Sequence, residues 1–161
     1  FSTETRPFRQ GLITSRMLHE AGVDVTLIVD SAALHVLDTE NVAAVVIGAD
    51  AIDAEGALYN KIGTRLITLA AKSLKVPVYV CAETYKFSPY SLSGETIEIE
   101  ERASTEIVDP KELPGVRVHN PVFDRTPPDQ ITKFVTERGL VGPRAAAGLI
   151  KREFGGGKRW I

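Results

Sequence analysis

Apolar residues first recur at helical spacing over residues 8–21, where Phe8, Leu12, Ile13, Met17 and Leu18 form one stripe and Gly22 supplies the stop. A short β-rich run bounded by charge, "DVTLIVD" (24–30), predicts a strand. Ser31 is placed to cap a helix running to about Leu37. The segment "NVAAVVIGAD" (41–50) has no polar alternation, as expected of a strand covered on both faces. A helix follows over 62–74, with Ile62, Leu66, Leu69 and Ala70 on its predicted apolar face, and "VPVYVCA" (76–82) predicts another buried strand. After Pro89 the pattern changes. "TIEIEER" (96–102) alternates like a solvent-facing edge strand, and 116–128 offers a short strand and a proline turn. Helices are predicted at 129–137, closed by Gly139, and at about 143–154. The segment "GGGKRWI" reads as a tail or contact arm. Repeats and low-complexity tracts are absent.

Strand, helix, strand, helix, strand at this spacing predicts an α/β fold with a parallel sheet flanked by helices, in one domain over 1–155 with a tail at 156–161. Ligands of such sheets bind beyond the carboxyl ends of the strands, so Asp30, Asp50 and Glu83 are expected along one edge. The length of 161 residues fits that single domain. A net charge of −2 gives no reason to expect direct nucleic-acid or anionic-membrane binding. No apolar run reaches the ~20 residues that a membrane helix needs. One cysteine, Cys81, fits a reducing cytoplasm and the interior of a strand. The opening "FSTETRP" reads as a strand end running into a loop, which suggests a piece of a longer polypeptide.

Candidate chemistry gathers in "GADAIDAEGALYNKIGT" (48–64). Asp50 closes an apolar strand. Burial without a partner would raise its pKa and suit it to general acid work, whereas a capping or loop aspartate is the plainer alternative. Asn60 and Lys61 are placed at a helix start, where free amides attract anions and Lys61 adds a charge; a cap and a solvated lysine are again the alternative. Gly63 and Thr64 suit a close approach of backbone to ligand. Lys86, between Tyr85 and Phe87 in "AETYKFSP" (82–89), either binds a phosphate or is solvated above core aromatics. Glu4 and Arg6 suggest an ion pair. His19, His35 and His119 share no metal spacing, and no metal or cofactor is called for.

Taken in order, "ETRPFRQG", "VDSAALH", "GADAI", "NKIGT", "AETYKF" and "NPVFDRTPP" resemble one superfamily. It unites the α, β and δ subunits of translation initiation factor 2B, methylthioribose-1-phosphate isomerase and archaeal ribose-1,5-bisphosphate isomerase. The resemblance runs from Glu4 to about Gly155, and its carboxyl-terminal part is most similar to the archaeal isomerase. It implies a Rossmann-like domain forming the carboxyl-terminal part of a longer protein. It also implies conversion of ribose 1,5-bisphosphate to ribulose 1,5-bisphosphate, with Asp50 as a catalytic aspartate and Asn60, Lys61 and Lys86 as substrate contacts. A homo-oligomer formed through this domain is implied as well. The isomerases carry a second catalytic group, a cysteine in a Thr-His-Cys-like stretch, which has no counterpart in these 161 residues. The chain alone is therefore expected to be inactive. The alternative is a non-catalytic subunit resembling the initiation factor, binding a nucleotide or sugar phosphate.

Overall fold

The computed structural model describes residues 1–155. The tail at 156–161 lies outside the described residues. Within them lie nine short strands: β1 (Ser2–Thr3), β2 (Leu27–Ile28), β3 (Val45–Ile47), β4 (Ala51–Ile52), β5 (Leu58–Lys61), β6 (Val78–Cys81), β7 (Phe123–Thr126), β8 (Lys133–Thr136) and β9 (Gly139–Val141). The four α-helices are α1 (Gln10–Glu20), α2 (Ala33–Thr39), α3 (Thr64–Ser73) and α4 (Ala146–Phe154). β1 and β2 pair in parallel. A four-stranded sheet has the order β3-β6-β8-β9, parallel except for β9. β4, β5 and β7 form an antiparallel sheet.

The α/β fold is thus present, but its sheets are mixed rather than wholly parallel. One cause is the separate antiparallel sheet β4–β5–β7, and the other is the segment expected to be a helix at 129–137. It begins as a 3-10 turn, Pro128–Gln130, and then becomes the β8–β9 hairpin. "KFVT" is β-branched and aromatic, which favours a pleated surface. Gly139 has φ +100°, so it supplies the left-handed residue that ends the hairpin loop rather than a helix stop. Other boundaries move less. Residues 41–50 give only the three-residue β3 before the chain bends at Asp50 into β4 of another sheet. α2 follows a 3-10 turn, Asp30–Ala32, without a side-chain cap from Ser31. The alternating 96–102 segment makes a single bridge, Glu101↔Pro121, in place of a strand. α4 begins three residues after Pro143, behind a 3-10 turn.

The core joins Ile52, Leu58, Val80, Phe87, Ile131, Phe134, Val141, Ala146, Leu149 and Ile150. Phe87 and Phe134 meet edge to face, with centroids 5.4 Å apart, a favoured aromatic geometry. Two predicted apolar faces are not part of this core. On α3 the buried residues are Thr64, Thr68, Ala70 and Ala71, while Leu66 and Leu69 are exposed. Buried Thr68 donates to Gln130 Oε1 at 2.8 Å, which explains how a threonine serves the inner face. On α1 only Gly11 is buried, and Leu12, Ile13, Met17 and Leu18 are exposed. Gly11 is needed there: a Cβ would stand 1.7 Å from the Thr3 carbonyl oxygen. Val46 of β3 is exposed as well, so that strand is not covered on both faces.

Candidate functional site

Two backbone registers bring the candidate residues together. The N–H of Asp50 donates to the Tyr59 carbonyl at 3.1 Å, next to the Ala51↔Tyr59 pair, so Asp50 enters the ladder beside the end of β5. On its other side β4 meets the chain after β6 through a parallel bridge, Ile52↔Phe87, and the Ser88 N–H donates to the Ile52 carbonyl at 2.8 Å. The 3-10 turn Thr84–Lys86 therefore approaches β4 from the Asp50 end. Asn60 and Lys61 lie at the same end, paired with Asp124 and Phe123 of β7. Asp50, Asn60, Lys61 and Lys86 converge there although 36 positions separate the first from the last.

Their environments depart from expectation in three respects. Asp50 is exposed, not buried at the end of a covered strand. Asn60 and Lys61 are the last residues of a strand rather than the first of a helix, because α3 begins at Thr64 behind Gly63, whose φ is +98°. And the amino end of α3 is already filled. Asp124 Oδ2 accepts from the Gly63 N–H at 2.8 Å, and both Asp124 oxygens accept from the Arg65 N–H at 3.0 and 3.1 Å. A carboxylate at this position complements the free amides and the helix dipole. The helix-start amides expected to attract an anion are thus taken, at Gly63 and Arg65, by the protein's own carboxylate. Burial holds the Asp124 carboxyl above its ordinary value, against the opposing pull of the Arg65 and Gly63 N–H groups.

The side chains of the turn are ordered by a relay. Asn60 Nδ2 donates to Thr64 Oγ1 at 2.9 Å, and that hydroxyl donates to the Lys61 carbonyl at 2.7 Å. Lys61 Nζ lies 5.4 Å from the Phe123 ring centroid and 6.0 Å from that of Phe8, within cation–π range. Arg102 stands 4.9 Å over Phe8 and is itself held by Glu106 at 2.7 Å. Lys86 Nζ lies 5.2 Å from the Tyr85 ring. Neither lysine belongs to an ion pair among the described residues. Their charges are placed by aromatic rings, which leaves the ammonium donors available to an anion.

The remaining candidates have structural partners or separate positions. Asp30 accepts from the Thr5 and Arg6 N–H groups at 2.8 and 2.7 Å, closing the loop after β1. Glu4 and Arg6 form no ion pair among the described residues. Cys81, expected inside its strand, is exposed at the end of β6. A cleft of about 280 Å³ beside Arg125, Asp53, Glu55 and Tyr59 holds an ion-pair cluster. Sequence reasoning missed Phe8, Phe123, Asp124 and Arg102. The clue for Asp124 was a lone carboxylate inside the "NPVFDRTPP" strand.

Comparison with known proteins places these features in context. The model of the initiation factor 2 subunit family matches residues 1–143. The chain belongs to that family. The ribose 1,5-bisphosphate isomerase of Archaeoglobus fulgidus is 51% identical over 156 residues, covering 96% of this chain and 49% of that protein. Among solved structures, subunit delta of translation initiation factor eIF-2B from A. fulgidus superposes with a TM-score of 0.82 at 36% identity, covering 92% of this chain and 46% of its own. The 5-methylthioribose 1-phosphate isomerase of Pyrococcus horikoshii OT3 also superposes with a TM-score of 0.82, at 33% identity, covering 96% of this chain and 44% of its own. The chain spans about half the length of the curated relatives it matches.

Proposed function

We propose that these residues form the Rossmann-like carboxyl-terminal domain, over 1–155, of a longer ribose-1,5-bisphosphate isomerase-like polypeptide that interconverts an aldose and a ketose phosphate. The observation that carries this reading is the convergence of Asp50, Asn60, Lys61 and Lys86 at one end of the β4–β5–β7 sheet. Isomerase names among relatives at 51% and 47% identity support the substrate class. The apolar α1 face and exposed Leu66 and Leu69 suit a domain that packs against more protein, whether the rest of a longer chain or a second copy in a homo-oligomer. A cytoplasmic setting fits the exposed free thiol of Cys81.

In this reading Lys61 and Lys86 bind the phosphate groups and Asn60 orients the sugar. Asp50 gives a proton to the ring oxygen as the C1–O bond breaks, which opens the sugar and leaves an oxocarbenium at C1 that keeps its phosphate ester. Asp50, now a carboxylate, then takes the C2 hydroxyl proton as C2 becomes the ketone and its carbon-bound hydrogen goes to C1. Transfer of the carbon-bound proton falls to a second group outside the 161 residues, which the family resemblance identifies as a cysteine. A second reading, a non-catalytic subunit that binds a sugar phosphate or nucleotide, draws on the likeness to the eIF-2B delta subunit.

Calorimetry on the complete polypeptide tests the site. Charge-assisted hydrogen bonds contribute about 1.5–3 kcal/mol, so Lys61→Ala is expected to weaken ribose 1,5-bisphosphate binding by roughly tenfold or more. Unchanged affinity would contradict the assignment.

A further inference from the structure

We infer that Asp124 is a positioning residue for the sugar-phosphate site: from the neighbouring strand it fixes the turn that carries Asn60 and Lys61, and it closes the helix end to phosphate. The inference rests on the proposed role of Lys61 and Asn60 and adds to it a residue 63 positions away from Lys61.

Three observations support it. First, Asp124 is the direct register partner of Asn60, and paired residues of an antiparallel ladder project to the same face. Second, its carboxylate takes the Gly63 and Arg65 N–H groups, which belong to the connection between Lys61 and the first turn of α3. That connection turns at Gly63 with φ +98°. The Ile62 N–H also donates to the Val122 carbonyl at 2.8 Å, so β7 and the residue before it hold this left-handed junction through one backbone bond and the two oxygens of Asp124. Third, the junction is tied back to the candidate ligand residues. Asn60 reaches Thr64, and Thr64 reaches the Lys61 carbonyl. A shift of α3 relative to β5 therefore moves Asn60 and Lys61 together. Phe123, the neighbour of Asp124 on β7, lies under the Lys61 ammonium, so β7 places both the backbone and the charge of Lys61.

The alternative is that Asp124 is only a helix cap. A cap contributes to stability and leaves ligand affinity alone once the protein is folded. A further possibility follows from the chemistry of helix ends: removing Asp124 would free two amides for an incoming phosphate and so increase affinity.

The test is a double-mutant cycle in the full-length polypeptide, with ribose 1,5-bisphosphate as the probe in calorimetry and melting curves taken on every variant. Asp124→Ala is expected to weaken binding by about tenfold, and in a Lys61→Ala background its effect is expected to fall below about twofold, because both act through one turn. Asp124→Asn keeps one acceptor oxygen and is expected to give an intermediate loss of about threefold, suppressed in the same background; it decides the matter if the alanine variant does not fold. A lowered melting temperature with unchanged affinity would overturn the inference, and so would increased affinity or losses that multiply. Normal weakening by Lys61→Ala with no effect of Asp124→Ala would overturn this inference alone. No effect of Lys61→Ala would overturn the proposed site with it.

Discussion

Phe87 connects the core to the candidate site, and its removal should be felt in both. The ring is fully buried, lies 5.4 Å from Phe134 at an interplanar angle of 78°, and bridges to Ile52 of β4 immediately after Lys86. Truncating a buried phenylalanine to alanine typically costs about 3–5 kcal/mol, including the cavity left behind. The aromatic pair accounts for about 0.5–1.5 kcal/mol of that loss. Phe87→Leu keeps most of the apolar contact and loses the pair, so it should cost about 1–2 kcal/mol. For a chain of this size each kcal/mol lowers Tm by about 2–4 °C, which puts Phe87→Ala roughly 6–20 °C below the parent and Phe87→Leu roughly 2–8 °C below it. Urea denaturation separates a stability change, seen as a lower midpoint at constant m, from a change in the unfolded ensemble. Phosphate-ligand affinity should fall further in the alanine variant, because Lys86 is held beside β4 by the residue that follows it. A loss below about 1 kcal/mol for Phe87→Ala, or equal losses for the two variants, would refute the account of this core.

The other predictions concern single groups. Thr126 is fully buried and its hydroxyl has no hydrogen-bond partner among the described residues; isosteric Thr126→Val should be neutral or raise stability by up to about 1–3 kcal/mol in thermal melts, since an unpaired buried hydroxyl is unfavourable. Gly11→Ala should destabilise, because its Cβ would collide with the Thr3 backbone 1.7 Å away, and circular-dichroism melts should show it. Glu137 is held below its ordinary value of 4.5 by the Thr84 hydroxyl and, secondarily, the Thr84 N–H. Its contribution to stability is therefore complete above pH 4.5 and is lost as pH falls through the lower folded value, so Glu137→Gln should flatten that acid limb of the melting profile.

The strand–helix–strand frame was legible where one signal sufficed. Periodicity located α3 to within two residues at its start, and the β-rich run at 76–82 contains β6. The hairpin at β8–β9 was not legible, because short apolar runs ending in glycine suit a helix stop and a hairpin turn alike. Which face of α3 turns inward was hidden for another reason. The inner face uses Thr68, whose polar group is satisfied by Gln130 from 62 positions away, and no local pattern reports such a partner. For the candidate site, the sequence pointed to Asp50, Asn60, Lys61 and Lys86, and strand register sets the first three at one end of the β4–β5–β7 sheet, near the turn that carries Lys86. The tenant of the helix end was missed, because only the β5–β7 register places Asp124 beside Asn60.

In the proposed function Asp50 is the group that moves protons at a sugar-phosphate site. Initial rates of ribose 1,5-bisphosphate turnover by the complete polypeptide, with and without Asp50→Asn, test this directly. Positioned acid–base catalysis is worth about 10²–10⁴-fold, so the variant should lose at least a hundredfold in turnover while its substrate affinity and melting temperature stay close to the parent's. A variant that turns over normally but melts earlier would make Asp50 a structural residue and contradict the account.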